Sequence, residues 1–396
     1  MKNSILLLGA LLLTPFFCEQ KASAEEPETE NKTLFSFLTN GKSKPENSKF
    51  NLYLNMQGSF DADFRDGFQQ GAFKMGQLRI EAKGNVNSWL SYRYRQRLNR
   101  SSNGSGNIDN LPGSIDYAML GFKLSDDWAL YAGKQSTAYG GFEFDLNPIE
   151  VYEYSNMIEN MNNFMTGLNL TYQLTPSQQL QLQVLDSRNG SATALYGSSP
   201  KIIATKMPLV YTLNWNGTFA DKFKTRWSAS VLNESKDKKV YYFAFGNELT
   251  LNKFNMYFDV MYSIENIDRK GIITSMIPEE YRKSANGYHN VFDVSYLSLV
   301  TKLNYRFCPK WNVFVKGMYE TASVSKSNSG IVSGRYRNSY GYLGGVEYYP
   351  MKSNLHFFLT YVGRAYDFTH RSRLFGNENY NTNRLSLGFI YQLPVL

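Results

Sequence analysis

Cysteine, histidine and long apolar runs are all scarce in this chain, and each shortage removes a class of protein. Its 396 residues hold two cysteines, Cys18 and Cys308, too few for a disulfide framework or a cysteine-ligated zinc site. Three histidines leave little material for a histidine-rich metal centre or a Ser/His triad. Beyond residue 24 there is no stretch of roughly 20 apolar residues, which excludes a bundle of membrane-spanning helices. Disorder is excluded for the opposite reason: 15% of the chain is aromatic, whereas disordered chains have few aromatics. No nucleic-acid motif is present, and nothing in the chain calls for a cofactor.

The first residues read as an export signal. Lys2 and Asn3 form a short basic start, Ile5 to Phe17 is an apolar run, and Ala22-Ser23-Ala24 supplies a small-residue cleavage site. Residues 1–24 are therefore expected to be a signal peptide. Lipidation at Cys18 would require small residues before it, and Phe16-Phe17 do not fit. Residues 25–49 read as a polar periplasmic segment, and residues 50–396 as the folded domain.

From Phe50 onward the chain repeats runs of about ten residues in which apolar and polar positions alternate, the period of a strand with two unlike faces. The pattern predicts sixteen strands: 50–57, 71–83, 86–98, 114–124, 127–134, 164–174, 179–188, 208–219, 223–234, 239–249, 253–265, 291–307, 310–324, 337–348, 354–366 and 383–393. Short and long connections alternate. Loops are expected over 58–70, 99–113, 135–163, 189–207, 235–238, 266–290, 325–336 and 367–382, the fifth being short. Short turns at one end and long loops at the other are the trace of an all-β transmembrane antiparallel barrel in the outer membrane of a Gram-negative bacterium. A soluble sandwich has no reason to put its long connections at one end.

The two faces agree. Trp215, Phe219, Trp311, Tyr348 and Tyr391 sit on the apolar face near strand ends, where interfacial girdles form. The other face carries Gln77, Arg79, Glu81 and Lys83; Arg93, Arg95 and Arg97; Lys302, Asn304 and Arg306; and Asn312, Lys316 and Glu320. Such a face needs water, and a sixteen-stranded barrel is wide enough to hold an aqueous channel. The polar face therefore reads as a pore lining.

The third loop is the longest. It carries Glu143, Asp145, Glu150 and Glu153 among aromatic and apolar anchors. In a sixteen-stranded porin the loop after strand five folds inward, which makes these acids candidates for a constriction. Arg79, Arg93, Arg95 and Arg97 fall on one face of neighbouring strands and form a candidate basic ladder along the wall. Opposed charges across a narrow opening would sort solutes by charge.

The sixteen-strand plan, Leu130 to Lys134, Gly140-Gly-Phe-Glu143 and the acid-rich Glu150 to Tyr154 resemble the phosphate-selective porin O and P family and, more loosely, porins of Bacteroidetes-type bacteria. In that family, arginines on the constricting loops and a basic ladder on the wall are taken to conduct phosphate. This chain has Arg93, Arg95 and Arg97 but no Arg or Lys between Gln135 and Met165. The resemblance thus implies a porin without fixing the ion. It also implies a homotrimer, contact with outer-membrane lipid, and handling by the barrel-assembly machinery, although the chain ends Gln392-Leu-Pro-Val-Leu396 without a terminal aromatic.

Other constellations are weaker. Asp61, Asp63, Asp66 and Gly67 miss the spacing of a calcium loop. Gly104-Ser-Gly106 lacks the third glycine and helix of a phosphate cradle. His356, with Ser353 and Thr360, has no orienting acid to make it a general base. The sequence therefore points to a non-enzymatic porin for small hydrophilic solutes, with a modest anion preference given by a formal net charge of +8 and the ladder. The alternative is a barrel transporter dedicated to a nutrient such as an oligosaccharide or a hydrophobic compound.

Overall fold

The computed structural model describes residues 49–103, 107–328 and 330–396. The signal-peptide reading, nearly all of the polar segment and Gly104-Ser-Gly106 lie outside them.

Sixteen antiparallel strands close into one barrel. They are β1 (Asn51–Phe64), β2 (Phe68–Asn85), β3 (Leu90–Arg97), β4 (Ile115–Lys123), β5 (Trp128–Ser136), β6 (Phe164–Thr175), β7 (Gln178–Asp186), β8 (Leu209–Phe219), β9 (Phe223–Ser235), β10 (Lys238–Leu251), β11 (Phe254–Ile267), β12 (Phe292–Cys308), β13 (Trp311–Val324), β14 (Gly334–Tyr348), β15 (His356–Phe368) and β16 (Tyr380–Pro394). Each strand pairs with its chain neighbours, and β16 returns to β1 in the register Met56 to Tyr391. Closure leaves no sheet edge, so every strand finds its backbone partners within the wall, as hydrocarbon surroundings require.

The period-two pattern sets the faces. Leu182 and Leu213 are 53% and 56% exposed on the outside, while their neighbours Gln183 and Thr212 are buried within. Near the short turns the outer face becomes aromatic. Trp215 and Trp227 meet edge-on at 5.2 Å, Trp128 stacks on Tyr172 at 4.4 Å, and Trp311 lies 4.8 Å from Tyr348. Amphipathic rings of this kind favour the membrane–water boundary.

The first loop is a correction. The expected connection over 58–70 is instead a continuation of the β1–β2 hairpin, with Phe60 opposite Phe73 and Asp63 opposite Gln70, and the chain reverses at 65–67. Glycines and aspartates hid the alternation, and pairing across the hairpin supports it. The Phe60 and Phe73 rings meet at 5.1 Å, and Lys74 lies 3.3 and 3.1 Å from Asp61 and Asp63. Asp66 and Gly67 take the positive φ angles, 53° and 134°, that so tight a reversal needs. The acids considered for calcium thus serve the hairpin.

Candidate pore constriction

The loop between β5 and β6 runs inside the barrel. Two short helical turns, α1 (Phe142–Asp145) and α2 (Asn156–Glu159), aim free backbone N–H groups at the wall. Wall carboxylates meet both. Asp259 of β11 accepts from the Phe142 N–H at 2.9 Å and the Glu143 N–H at 2.8 Å. Glu320 of β13 accepts from the Asn156 and Met157 N–H groups, each at 2.9 Å. The approach is close: a Cβ placed on Gly246 would lie 2.7 Å from the Cα of Gly141, which itself has φ 81°. Glycine is needed on both sides of that contact.

The four loop acids stand as follows. Glu143 is fully buried and takes a salt bridge from Lys316 of β13. It also accepts from the Ser155 N–H at 2.9 Å and hydroxyl at 2.6 Å. Asp145 pairs with Arg226 of β9. Glu153 accepts from Arg364 of β15 at 2.8 Å and Arg384 of β16 at 2.9 Å. Glu150 faces the lumen and enters no ion pair among the described residues. The enclosing protein keeps water partly away from its carboxyl and pushes its pKa up, and nearby Lys302 and His356 oppose that shift. The pKa of Glu159 is raised by the same desolvation and by like charge from Glu153. Between these anchors Tyr152 stacks on Phe314 at 5.0 Å and donates to Glu347 at 2.8 Å, which adds an apolar and a polar hold at one side chain.

The four arginines lie on another part of the wall. The β2–β3 register sets Arg79 opposite Arg97 and Glu81 opposite Arg95. Asp116 of β4 accepts from Nε of Arg79 and Arg95, each at 3.0 Å, and of Arg97 at 2.8 Å. Arg93 pairs with Glu81 at 2.7 Å and lies 3.9 Å from the Tyr117 ring centre. Four guanidinium charges against two carboxylates, Asp116 and Glu81, leave this patch at +2. Nη1 of Arg79 is buried and has no acceptor among the described residues. A cleft of about 660 Å³ separates the arginines from loop residues Phe144, Leu146, Glu150 and Glu159.

Sequence reasoning places Lys316 and Glu320 on the polar face without showing that they hold the loop, and it does not single out Asp116, Asp259 or Glu347. Strand parity marks those three as lumen-facing, but which loop atom each meets depends on how the loop crosses the barrel. Glu143, Asp145 and Glu153 pair with bases on β9, β13, β15 and β16, and the arginines pair with acids of their own wall. His356 faces inward, 6% exposed, with Nδ1 2.8 Å from the Asn354 carbonyl and its ring stacked on Tyr349.

The sequence profile of the phosphate-selective porin O and P family matches residues 50–393, the whole barrel. The chain belongs to that family. It is accordingly an outer-membrane channel and not an enzyme. No curated protein matches the sequence significantly. Among solved structures, the outer-membrane channel DcaP of Acinetobacter baumannii is similar with a TM-score of 0.61 at 14% identity, covering 87% of this chain and 96% of that one. The anion-selective porin from Comamonas acidovorans is similar at 0.53 and 6% identity, covering 87% and 99%. OmpT of Vibrio cholerae in its trimer form is similar at 0.50 and 12%, covering 87% and 100%. At these identities the likeness is one of fold.

Proposed function

We propose that this porin passes small hydrophilic solutes passively, with a modest preference for anions set where the third loop faces Arg79, Arg93, Arg95 and Arg97. The observation that carries the reading is the separation of charge. Glu143, Asp145 and Glu153 of the loop are held by Lys316, Arg226, Arg364 and Arg384 on one side of the lumen. The arginine patch keeps a surplus of positive charge beside the open cleft. Cations without full neutralisation raise the local anion concentration in a low-dielectric opening. The preference is modest because Glu150 and Glu159 line the same cleft.

The same reading includes export by a signal peptide ending at Ala24, insertion by the barrel-assembly machinery into outer-membrane lipid, and a homotrimer. The trimer form of the similar Vibrio OmpT supports the last point. Planar-bilayer recording in a KCl gradient tests the channel and its selectivity. Ohmic steps with a reversal potential on the anion side are the expected result. A cation-side potential overturns the charge assignment. Small steps blocked by one nutrient would instead favour a dedicated transporter.

A further inference from the structure

The inner faces of β6, β7 and β8 have an unusual composition. Gln173, Gln179, Gln181, Gln183, Asn214 and Asn216, joined by Asn169, project into the lumen from adjacent strands, and those inner faces bear no charge between Thr171 and Thr218. The amides bond to one another. Gln181 donates to Gln179 at 2.9 Å, Gln179 to Gln173 at 3.2 Å, Asn216 to Gln179 at 3.3 Å, and Asn169 to Gln181 at 3.3 Å. Oδ1 of Asn169 and Oδ1 of Asn216 are left without a donor among the described residues. A lumen wall serving only to hold water and ions has no need of seven primary amides in one ribbon. Each amide offers both donor and acceptor, the pairing that hydroxyl groups satisfy.

This ribbon borders a recess of about 250 Å³ whose lining also includes Tyr117, Tyr131, Arg93 and Arg226. The volume falls below the roughly 300–1,000 Å³ that encloses drug-sized ligands, so it suits a single small ring. Arg226 is already matched by Asp145, and that carboxylate would repel a second negative group. Arg93 also has a carboxylate partner, Glu81 at 2.7 Å, but it belongs to the patch of four arginines against two carboxylates that keeps two surplus positive charges, and it connects the recess to the arginine cleft.

We infer that the recess is a binding station for a monoanionic, polyhydroxylated solute of monosaccharide size, an acidic sugar, whose carboxylate meets Arg93 while its hydroxyls exchange hydrogen bonds with Gln179, Gln181 and Asn216. The inference rests on the proposed channel function and adds its substrate class. Acetate shares the charge and lacks the hydroxyls. Glucose shares the hydroxyls and lacks the charge. Both features together are what the recess distinguishes.

The test is block of the KCl current through single channels of the full chain in planar bilayers by sodium glucuronate, sodium acetate and glucose. Glucuronate is expected to block at a concentration about tenfold below either comparator, the gain of roughly two neutral hydrogen bonds. Gln181→Leu with Asn216→Leu should bring glucuronate to the level of acetate in the same channel. Equal block by glucuronate and acetate in the unaltered protein overturns the proposal while leaving an anion-preferring porin intact. So does glucuronate block that survives the double substitution. A protein that opens no conducting steps overturns the channel reading, and this one with it.

Discussion

Glu320 on the β13 wall grips Asn156 of the third loop twice, taking its backbone N–H at 2.9 Å and its side-chain amide at 2.7 Å. The two residues are 164 positions apart in sequence. With Asp259 on α1, this contact means that wall carboxylates cap both short helical turns, the role a helix N-cap side chain plays locally. The third loop is seated by the barrel and not by its own helices, which are four residues each.

Removing that seat should widen the channel. Glu320→Ala leaves the Asn156 and Met157 N–H groups of α2 without acceptors, at a cost of about 1–3 kcal/mol for each buried group. Lys316→Met strands the buried Glu143 carboxylate, a loss of about 3–5 kcal/mol. The double variant is expected to show larger single-channel conductance and noisier open levels. Unchanged conductance would mean that the loop does not limit flow.

Charge reversal on the ladder tests the selectivity reading. Arg93→Glu with Arg95→Glu turns a patch at +2 into one at −2. The reversal potential in a salt gradient should cross to the cation side, and the shift should shrink as ionic strength rises. An unmoved potential would place these arginines outside the narrow zone.

The raised pKa values of Glu150 and Glu159 give a pH dependence with a definite sign. A carboxyl whose pKa is raised takes up its proton at a higher pH than an ordinary glutamate, so on acidification the cleft loses negative charge early while the arginines stay charged. Anion preference should therefore rise between pH 7 and the ordinary glutamate range. Glu150→Gln with Glu159→Gln should show the high preference already at pH 7 and flatten the profile. A preference that falls on acidification would reverse the assignment.

The membrane face is tested by two neighbours on β7. Leu182 points outward between Leu170 and Leu213, and Gln181 points into the lumen. Leu182→Arg puts a charge toward hydrocarbon and should destabilise the barrel by about 2–4 kcal/mol if it lies near the bilayer centre. Gln181→Arg should leave stability nearly unchanged. Urea unfolding in lipid vesicles, followed by tryptophan fluorescence, measures both, and equal stability of the two variants would contradict the lipid-facing assignment.

Sequence by itself determined the barrel. Alternation has a period of two wherever one face meets lipid and the other water, so strand number, strand position and the direction of each side chain can be read along the chain without knowing any partner. The outer part of the β1–β2 hairpin, over 58–70, escaped that reading because Gly58 and the aspartates broke the pattern, and it is held by contacts across the pair, Phe60 to Phe73 and Asp61 and Asp63 to Lys74. Only the tertiary structure decided the pairings inside the barrel. Glu143 with Lys316, Asp259 with α1, and Asp116 among three arginines join residues on different strands or across the lumen. The first two follow from the path of one loop through the barrel, set by the sum of its buried contacts, and the third from the side-by-side placing of β2, β3 and β4 in the wall, and no local pattern in the chain records either.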